Sequence, residues 1–352
     1  MVDSTRDRRL TYESAGVSID AQDRALVEVR RLAKTTFTTG VLSEIGSFGG
    51  LFTLEPDNPS GTVLVASADG VGTKLKVAQT AARHGTVGED LVNHCVNDIL
   101  VLGARPLFFL DYFASGRLEP GVAVAVIEGL TRGCRANGCA LLGGETAEMP
   151  GFYQPGEYDL AGFIVGSCVR DRLLRVETVR TGDALVALPS TGLHTNGYSL
   201  ARKVLIELLG LKVTDEVPAL GRSVADALLA VHRSYLPALG PLLDAGFVKS
   251  AAHITGGGIP DNLPRALPSG VGAEIDLGSW DEPALFRLIR EAGRVPEDDM
   301  RRTFNLGVGM ILVVAEASVP EVLEGVSQHP GGWLIGRTVA GKGVRFVGER
   351  RA

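Results

Sequence analysis

The chain has 352 residues, of which 22% are charged, and its formal net charge is −6 at pH 7. A chain of this length predicts two domains and can bury roughly three quarters of its unfolded surface. The negative charge and the lack of a Lys/Arg cluster argue against a nucleic-acid or membrane-surface partner. No apolar run approaches the ~20 residues of a membrane span, and the start carries no signal-peptide core, so we expect a cytoplasmic protein.

The pattern of apolar residues predicts alternating strands and helices, and therefore an α/β fold. We expect a disordered tail over 1–10, an N-terminal domain over 11–170 and a C-terminal domain over 171–352. The first domain should contain helices 18–34, 74–83, 89–102 and 121–135, a glycine-rich flap 37–54, and strands 61–68, 106–114, 139–143 and 160–169. The second should contain helices 198–209, 223–246, 259–266, 282–292 and 319–328, and strands 184–189, 271–277, 306–316 and others within 333–348.

The segment Asp69-Gly-Val-Gly-Thr-Lys74 is the most informative one, because it directly follows the apolar run 63–68. A strand that ends in a carboxylate, two glycines, a hydroxyl and a lysine suits the binding of a phosphate with its metal ion. Asp69 could hold magnesium and Lys74 could contact a phosphate. Gly70, Gly72 and Thr73 could bring backbone and hydroxyl donors close to it. A tight Asp-Gly turn between two ordinary elements is the alternative.

A second polar cluster lies on the predicted helix 89–102, whose apolar residues form one face of helical periodicity. Asn97 and Asp98 belong to the remaining polar face. Asn93 stacks with Asn97, and His94 stacks with Asp98, because each pair is four residues apart. We expect Asn97 and Asp98 to contact the nucleotide and its metal, and a solvated helix face is the alternative.

A third cluster follows the predicted strand over 139–143, where Gly143 and Gly144 precede Glu145 and Glu148. This order repeats that of the first segment, with a strand that ends in glycines and then carboxylates. The two glycine amides could donate to a phosphate, Glu145 could bind metal, and Glu148 could bind substrate. An ordinary solvent loop is the alternative.

A fourth cluster follows the predicted strand 184–189 and contains His194, Thr195, Asn196 and Ser199. Thr195, Asn196 and Ser199 could hydrogen-bond a substrate. His194 is our candidate for the group nearest the reacting atoms, because an imidazole with an ordinary pKa near ~6.5 suits proton transfer. The alternatives are a routine Asn-Gly turn and a histidine that only orders the loop or binds substrate.

Together these clusters indicate triphosphate binding without the common phosphate loop, whose sequence pattern does not occur in the chain. Carboxylates repel phosphates, so Asp69, Asp98 and Glu145 suit a nucleotide site only if divalent cations lie between them. We therefore predict that these three side chains converge on magnesium bound to ATP. The four cysteines and six histidines show no zinc-like spacing, and we expect the cysteines to be free buried thiols.

Eight segments along the chain occur in the order typical of one known family. They are Tyr12–Asp20, Asp69–Lys74, Cys95–Ile99, Pro106–Tyr112, Gly143–Pro150, His194–Leu200, His253–Gly258 and Arg302–Met310. On these segments the chain resembles the phosphoribosylformylglycinamidine cyclo-ligase family, also called AIR synthetase. Thr195 stands where serine is common and Ser47–Gly50 varies a glycine-rich stretch, but neither difference removes an expected carboxylate, lysine or histidine.

The resemblance implies two α/β domains and a homodimer in which the N-terminal mixed sheets of both subunits form a shared barrel. It implies ATP and Mg²⁺ as ligands, with formylglycinamidine ribonucleotide as the substrate that is closed to aminoimidazole ribonucleotide. In the family's mechanism the formyl oxygen is phosphorylated and the amine nitrogen then attacks the activated carbon. His194 and Lys74 match the positions from which we expect catalytic contacts.

The ribose phosphate of that substrate needs donors that do not compete with the ATP site. Thr255, Gly256, Gly257 and Gly258 precede a predicted helix and could supply backbone amides at its N-terminus. A simple strand-to-helix turn is the alternative.

Two other functions stay open at the level of the sequence. One is another ATP-using enzyme of the same superfamily, such as thiamine-phosphate kinase, selenophosphate synthetase or the amidotransferase of the preceding purine step. We would not expect such an enzyme to carry His194–Leu200 together with Arg302–Asn305. The other is a non-catalytic relative, which we would expect to have lost Lys74 or one of the strand-end carboxylates, all of which are present.

Overall fold

A computed structural model of the protein describes residues 9–58 and 60–351. Most of the predicted tail, residues 1–8, therefore lies outside the described residues. The fold consists of two mixed sheets with helices packed on them, which confirms the predicted α/β class with two domains. Among the described residues, no helix is long and apolar enough to cross a membrane.

The first sheet is built from the N-terminal half of the chain. Its strands are β1 (Gly50–Thr53), β2 (Thr62–Gly70), β3 (Arg105–Ser115), β4 (Ala140–Glu148) and β5 (Tyr158–Val169). Their order across the sheet is β1-β2-β5-β3-β4, so β4 is an edge strand. Because β5 is antiparallel to β2 and β3, and β4 is parallel to β3, the strands β2, β3 and β4 all end at the same side of the sheet.

The helices of this half are α1 (Ile19–Lys34), α2 (Lys74–Ala81), α3 (Val87–Leu100) and α4 (Pro120–Ala136). Ser18 caps α1, because its hydroxyl accepts a hydrogen bond from the Ala21 N–H at 3.2 Å. The apolar side of α3 packs on one face of the sheet, against β2 and β5. The opposite face of the sheet is not covered by any described element, and Phe163 on it is 47% exposed.

Helix α3 packs unusually close to α4. A side chain at Gly88 would lie 2.3 Å from the carbonyl oxygen of Val126, and one at Gly129 would lie 2.6 Å from that of Gly85. Only glycine permits this approach. Every residue of α3 except Glu89 is buried, so the predicted polar face of this helix lies inside the protein instead of facing solvent. Residues of the C-terminal half cover this face, as in the hydrogen bond between Asn97 and Tyr235.

The second sheet is built from the C-terminal half. Its strands are β6 (Ala184–Pro189), β9 (Val248–His253), β10 (Val271–Asp276), β11 (Val308–Val314), β12 (Trp333–Ala340) and β13 (Val344–Val347). Between β6 and β9, the strands β7 (Glu216–Val217) and β8 (Arg222–Ser223) form a separate short hairpin. Their order is β13-β10-β12-β6-β11-β9. Every residue of β11 is buried, as expected for an apolar strand covered on both faces.

The helices of the C-terminal half surround this sheet. They are α5 (Tyr198–Arg202), which continues as a π-helical turn over Lys203–Leu208, α6 (Val224–Leu228), α7 (Leu236–Asp244), α8 (Gly258–Asn262), α9 (Ala284–Gly293), α10 (Glu297–Thr303) and α11 (Val319–Val326). A 3₁₀ turn, Leu263–Ala266, extends α8.

Several boundaries differ from the sequence prediction. The predicted helix 223–246 is wrong, because residues 229–235 form a loop between α6 and α7. This loop gives up helical hydrogen bonds and instead bonds to α3, where Asn93 Nδ2 donates to the carbonyl of His232 at 2.8 Å. Strand β9 and helix α10 are not predicted by the apolar pattern, and β4 continues to Glu148 instead of ending at residue 143.

Candidate active site

Asp69 and Asp98 lie beside the same imidazole ring. Oδ2 of Asp69 lies 2.8 Å from Nε2 of His94, and Oδ2 of Asp98 lies 3.7 Å from that nitrogen. Strand β2 supplies Asp69, while α3 supplies His94 and Asp98 one turn apart. Burial lowers the pKa of His94, but the two carboxylates outweigh it and raise the pKa to about 9. Burial likewise raises the pKa of Asp69, and His94 outweighs it and holds this pKa below its ordinary value.

A chain of hydrogen bonds runs from His94 through the C-terminal half and back. Nδ1 of His94 lies 2.6 Å from the hydroxyl of Thr195, which lies 3.4 Å from Nδ1 of His232. Nε2 of His232 faces Nε2 of His253 at 3.0 Å. Nδ1 of His253 lies 2.9 Å from Oδ1 of Asp98. This series of hydrogen bonds therefore ends at Asp98, one of the two carboxylates beside His94, where the series began.

The positions of the protons in this series of hydrogen bonds follow from its two ends, His94 and Asp98. Asp98 accepts the Nδ1–H of His253, so His232 must supply the one proton between the two facing nitrogens. His232 then accepts from the Thr195 hydroxyl, which accepts from His94, and His94 is the imidazolium. The reverse order would charge His253, but burial lowers the pKa of His253 and of His232, while the pKa of His94 is raised.

His194 is held in one tautomer at a left-handed backbone position, with φ of 60°. Its Nε2 accepts the N–H of Thr191 at 3.1 Å, and its ring stacks on that of His232 with centroids 3.9 Å apart. Burial and neighbouring cations place its pKa well below the ordinary value, so the ring is neutral. Its proton is then on Nδ1, a buried atom with no hydrogen-bond partner among the described residues. The geometry therefore offers a neutral donor, where the sequence led us to expect an imidazole that titrates near ~6.5.

Lys74 is completely buried instead of facing a solvent-filled site. Its ammonium lies 2.8 Å from Oδ2 of Asp90, and it donates to the carbonyls of Ala230 at 2.8 Å and His194 at 3.4 Å. Burial lowers the pKa of Lys74 and raises that of Asp90, and each charge partly offsets the shift of the other. All three donors of the ammonium are occupied, so its predicted phosphate contact stays a prediction that requires at least one of these bonds to change.

Asn97 contacts the loop 229–235. Its Nδ2 donates to the carbonyl of Arg233 at 2.8 Å, and its Oδ1 accepts the N–H of Tyr235 at 2.9 Å. Both hydrogen-bonding groups of this amide are therefore engaged in holding the C-terminal loop on α3. Its predicted contact with the nucleotide stays a prediction, which requires one of these two hydrogen bonds to change.

Glu145 does not join Asp69 and Asp98 within one chain. The register places Asp69 beside Gly162, Gly162 beside Asp111, and Asp111 beside Gly144. Glu145 belongs to the next row, and successive residues of a strand point to opposite faces. It therefore lies on the other face of the sheet, three strand spacings or about 14 Å away. Within one chain only Asp69 and Asp98 lie close together, and their sharing of a magnesium ion stays a prediction.

The rest of the third cluster also lies in the edge strand and not in a loop. Gly143, Gly144 and Glu148 are residues of β4 and are exposed. Oε1 of Glu148 accepts the N–H of Leu118 at 3.1 Å. The predicted contacts of these residues with phosphate and substrate stay predictions.

The glycine segment before α8 lies beside the loop of the fourth cluster. A side chain at Gly256 would lie 3.1 Å from Oδ1 of Asn196, and Nδ2 of Asn196 is buried without a partner among the described residues. Asn262 Nδ2 donates to the carbonyls of Gly256 at 3.0 Å and Gly258 at 2.9 Å, which fixes the turn. Gly258 has a φ of 59°, and a side chain there would lie 1.8 Å from the carbonyl oxygen of Arg301. The predicted anion contacts of Thr255 and Gly257 stay predictions.

Two further contacts join the predicted site to the flap and to α5. The hydroxyls of Thr73 and Ser199 lie 3.1 Å apart, so the first and fourth clusters touch. The Ser67 hydroxyl lies 3.2 Å both from the carbonyl oxygen of Phe48, in the predicted flap, and from Oδ2 of Asp98. The Ser67 hydroxyl therefore links the flap to the Asp98 carboxylate.

Sequence reasoning missed most of the histidines at this site. His94, His232 and His253 are at most 3% exposed and lie within the hydrogen-bond chain, yet none was chosen as a site residue. Metal-like spacing could not find them, because they come from α3, a loop and β9. The available signal was the periodicity of α3, which places His94 on the same face as Asp98.

The oxygen ligands of Asp69 and Asp98 fit a magnesium ion better than a softer metal. Their side chains are 39% and 10% exposed, so the pair opens toward solvent on the side of Asp69. The single positive charge of His94 offsets only part of the negative charge of the two carboxylates, so a further cation is favourable beside them. Three neutral histidines lie deeper and offer nitrogen ligands, but His194 and His232 are stacked, and their lone pairs do not point at one position.

The sequence matches two family models over most of its length. Residues 50–168 match "AIR synthase related protein, N-terminal domain", and residues 180–349 match the corresponding C-terminal domain. Curated relatives named phosphoribosylformylglycinamidine cyclo-ligase include one from Sorangium cellulosum, which is 50% identical over 96% of this chain and 97% of the relative. Another from Myxococcus xanthus is 52% identical over 95% of this chain and 97% of the relative.

Solved structures with much lower identity share the fold. One described as AaThiL complexed with AMPPCP and TMP has a TM-score of 0.63 and 15% identity over 95% of this chain and 96% of that chain. E. coli HypE has a TM-score of 0.61 and 22% identity, covering 92% of this chain and 93% of that chain. At these identities the likeness concerns the fold alone.

Proposed function

Because the chain belongs to the AIR synthase related family, we propose that it catalyses the ATP-dependent ring closure of formylglycinamidine ribonucleotide to aminoimidazole ribonucleotide, ADP and phosphate. This reaction is a step of purine biosynthesis, and we assign it to the cytoplasm because it consumes ATP and acts on a ribonucleotide. Family membership confirms the resemblance found in the sequence. The observation that carries the site assignment is the hydrogen-bond chain shared by Asp69, Asp98 and Thr195.

The two halves divide the work in this proposal. Residues 11–170 bind ATP and form the dimer, and residues 171–352 bind the ribonucleotide. The contact between the Thr73 and Ser199 hydroxyls, 3.1 Å apart, supports a reaction at the junction of the two halves. Thr195, Asn196 and Ser199 would then face the substrate from the C-terminal side, and Gly70 and Gly72 the phosphates from the N-terminal side.

Asp69 and Asp98 would hold magnesium between them and the triphosphate. A magnesium ion bound there supplies positive charge that neutralises the phosphate oxygens during transfer. His94 must then leave Asp69 or give up its proton, because its Nε2 occupies the space between the two carboxylates. Lys74 would reach a phosphate only if the nucleotide draws it away from the carbonyl of Ala230 or His194.

The chemistry asks the chain to convert the formyl oxygen into a leaving group. The terminal phosphoryl of ATP is transferred to that oxygen, the amine nitrogen attacks the carbon, and phosphate departs with the oxygen while the nitrogen loses a proton. We assign to His194 a hydrogen bond from Nδ1–H to an oxygen of the reacting group. The buried Nδ1 without a partner supports this assignment, and such a preorganised donor stabilises charge that develops in the transition state.

The ribose phosphate of the substrate would bind at Thr255–Gly258. Three consecutive glycines lie there beside Asn196, whose Nδ2 lacks a partner among the described residues. Because α8 is short, the donors would be the amides of the turn itself, with little contribution from a helix dipole.

A homodimer is the partner that fits the open face of the first sheet. Five large apolar side chains of this sheet are at least 39% exposed, namely Phe52, Leu107, Leu142, Phe163 and Val169. Exposed apolar side chains in such number on one sheet suit an interface. A second copy packed on this face could also bring its β4, with Glu145, close to the nucleotide site of the first, which would restore the predicted role of Glu145 between subunits.

The test is a complete product balance. Purified protein is incubated with formylglycinamidine ribonucleotide carrying ¹⁸O in the formyl group, ATP and Mg²⁺, and the products are quantified by mass spectrometry. We expect equal amounts of aminoimidazole ribonucleotide, ADP and phosphate, with the label in the phosphate. ADP without the aminoimidazole would indicate another ATP-using enzyme of the superfamily, and no turnover of either compound would indicate a non-catalytic relative.

A further inference from the structure

Helix α4 ends in a turn that brings two cysteines into contact. The N–H of Cys139 donates to the carbonyl of Cys134 at 3.0 Å, and the N–H of Gly138 donates to that of Arg135 at 3.3 Å. Gly138 has a φ of 65°. These are the two hydrogen bonds and the left-handed residue of a Schellman motif, in which the side chains at the first and last of these positions pack together.

The closeness of the two thiols is therefore built into the backbone. The neighbouring Cys139 sulfur and burial raise the pKa of the Cys134 thiol. The 3.0 Å hydrogen bond between their backbones also limits the two Cα atoms to a separation of about 7 Å, which is at the upper end of what a disulfide spans. Cys139 is partly exposed and Cys134 is buried, so a reagent can reach the first sulfur and the second lies behind it.

We propose that Cys134 and Cys139 form a reversible redox site that a peroxide-class oxidant closes to a disulfide. The Cys139 thiolate attacks the peroxide, the O–O bond breaks, and a sulfenic acid and hydroxide form. The Cys134 sulfur then attacks the Cys139 sulfur, and the sulfenic oxygen leaves as water. In total, two thiols and one hydrogen peroxide give one disulfide and two waters, and a dithiol reductant restores the thiols.

The other two cysteines, Cys95 and Cys168, are the thiols with which the proposed pair is compared. Cys95 is buried inside α3, with its sulfur 4.0 Å from the carbonyl oxygen of Gly162, and burial raises its pKa well above the ordinary value. Burial also raises the pKa of Cys168 to about 11. Cys139 is partly exposed and Cys134 is buried behind it. This difference in access makes Cys139 the attacking sulfur and Cys134 the resolving one.

The disulfide would fasten the end of α4 to the beginning of β4. Cys139 directly precedes Ala140, the first residue of β4, which pairs with Phe108 of β3. Closing the sulfur–sulfur bond would therefore restrain the edge strand that carries Glu145. We expect oxidised protein to unfold at a higher temperature than reduced protein, and the shift to be absent when Cys139 is replaced.

The experiment uses the full chain, reduced and then treated with hydrogen peroxide before alkylation and trypsin digestion. Cleavage after Arg135 separates the two cysteines, so the disulfide appears as Gly133-Cys134-Arg135 linked to the peptide 136–170. Because that peptide also contains Cys168, the variants Cys139→Ser and Cys168→Ser identify the partner. We expect the linked peptide in the wild-type chain and in Cys168→Ser, and its loss in Cys139→Ser and after dithiothreitol.

The proposal is overturned if Cys134 and Cys139 stay alkylatable, or oxidise to sulfinic acid, at the same rate as Cys95 and Cys168. It is also overturned if the linked peptide persists in Cys139→Ser. The readout is a covalent bond and needs no turnover, so it is independent of the proposed cyclo-ligase activity.

Discussion

The ends of β2 and β4 both combine glycines with a carboxylate, yet the structure gives them different surroundings. Each strand carries glycines next to a carboxylate, Asp69 in one and Glu145 in the other. Strand β2 lies inside the sheet with α3 packed beneath it, so Asp69 meets His94 at 2.8 Å. Strand β4 lies at the edge, and its carboxylates are exposed. The difference shows that the neighbours of a strand, and not its own residues, decide whether its polar end becomes part of a buried site.

The replacement with the largest expected effect is Asp98→Asn. It tests the site around Asp69 and Asp98 against the exposed end of β4. In Asp98→Asn the side chain keeps its size but loses the charge that binds magnesium. Changes in residues that only support a metal ligand typically cost 10–100-fold, so loss of a direct ligand should lower turnover by about 100-fold or more. Steady-state rates at several magnesium concentrations measure this.

The matched change on the other side is Glu145→Gln. If the dimer brings Glu145 to the partner's site, turnover of the Glu145→Gln variant falls as well, but only at protein concentrations where the dimer forms. Near-normal turnover of Asp98→Asn at limiting magnesium would remove the metal assignment from the β2 side.

The second prediction concerns His194, which belongs to the buried side of the comparison. A donor used only in the transition state supports kcat and not substrate binding, so His194→Ala should lower kcat by roughly 100-fold with little change in KM. The control is His84→Ala, because His84 lies away from the site. Its Nδ1 is 3.0 Å from the Tyr158 hydroxyl. A change confined to KM would reduce His194 to a substrate-binding residue.

The third prediction concerns folding stability around Lys74. Replacing Lys74 by Met leaves the buried Asp90 carboxylate without its cation, which typically costs about 3–5 kcal/mol of unfolding free energy. The double variant Lys74→Met/Asp90→Leu should recover most of that loss, because no charge is then buried alone. Urea denaturation measures both. A Lys74→Met protein as stable as the parent would show that the pair is not the stabilising feature that its burial indicates.

The double variant also separates structure from catalysis at Lys74. If Lys74 only stabilises the fold, the double variant regains activity together with stability. If Lys74 also contacts a phosphate, stability returns and turnover does not, which would support the contact predicted from the sequence.

The fourth prediction is the dependence of stability on pH, which should come mainly from the buried histidines of the site. The pKa of His94 is raised from 6.5 to about 9, so its contribution is complete below 6.5 and is lost as the pH rises to 9. The pKa values of His194, His232 and His253 are lowered, so their contribution is present above 6.5 and is lost as the pH falls. The midpoint of thermal unfolding should therefore be highest near pH 6.5.

Single variants assign each slope of that curve. His94→Gln should flatten the decline between pH 6.5 and 9, and His232→Asn should reduce the decline on the acid side. A Glu145→Gln curve should follow that of the parent, because Glu145 is exposed. A midpoint that does not change between pH 5 and 9 would contradict the protonation pattern of the histidine chain.

The smallest effect is expected on the open face of the first sheet. Phe163→Lys places a charge on an exposed apolar surface and should shift the dimer toward monomer in sedimentation experiments, with little loss of stability in the monomer. Leu334→Lys is the control, because Leu334 is 50% exposed on the second sheet and Phe163 is 47% exposed on the first. Equal behaviour of the two variants would argue against this face as the interface.

The sequence predicted the class of fold and the elements that carry Asp69 and Asp98, for reasons that individual residues make clear. Periodicity placed Asp98 on α3, and the apolar run before Asp69 placed it at the end of a strand. Lys74 shows the limit of such reasoning. In the sequence, a lysine after a glycine turn suggests a phosphate ligand. In the structure, this lysine is buried and paired with the buried carboxylate of Asp90. His232 lies in a loop that its own apolar neighbours predict as helix, and only contact with α3 determines its conformation.

The most direct test of the account is a structure of the protein with magnesium and a non-hydrolysable ATP analogue. We expect metal–oxygen distances of about 2.1 Å to Asp69 and Asp98, with His94 no longer bonded to Asp69. The phosphates should lie at the junction of the two halves, near Thr73. Phosphates bound elsewhere, with the 2.8 Å contact between His94 and Asp69 intact, would contradict the central claim.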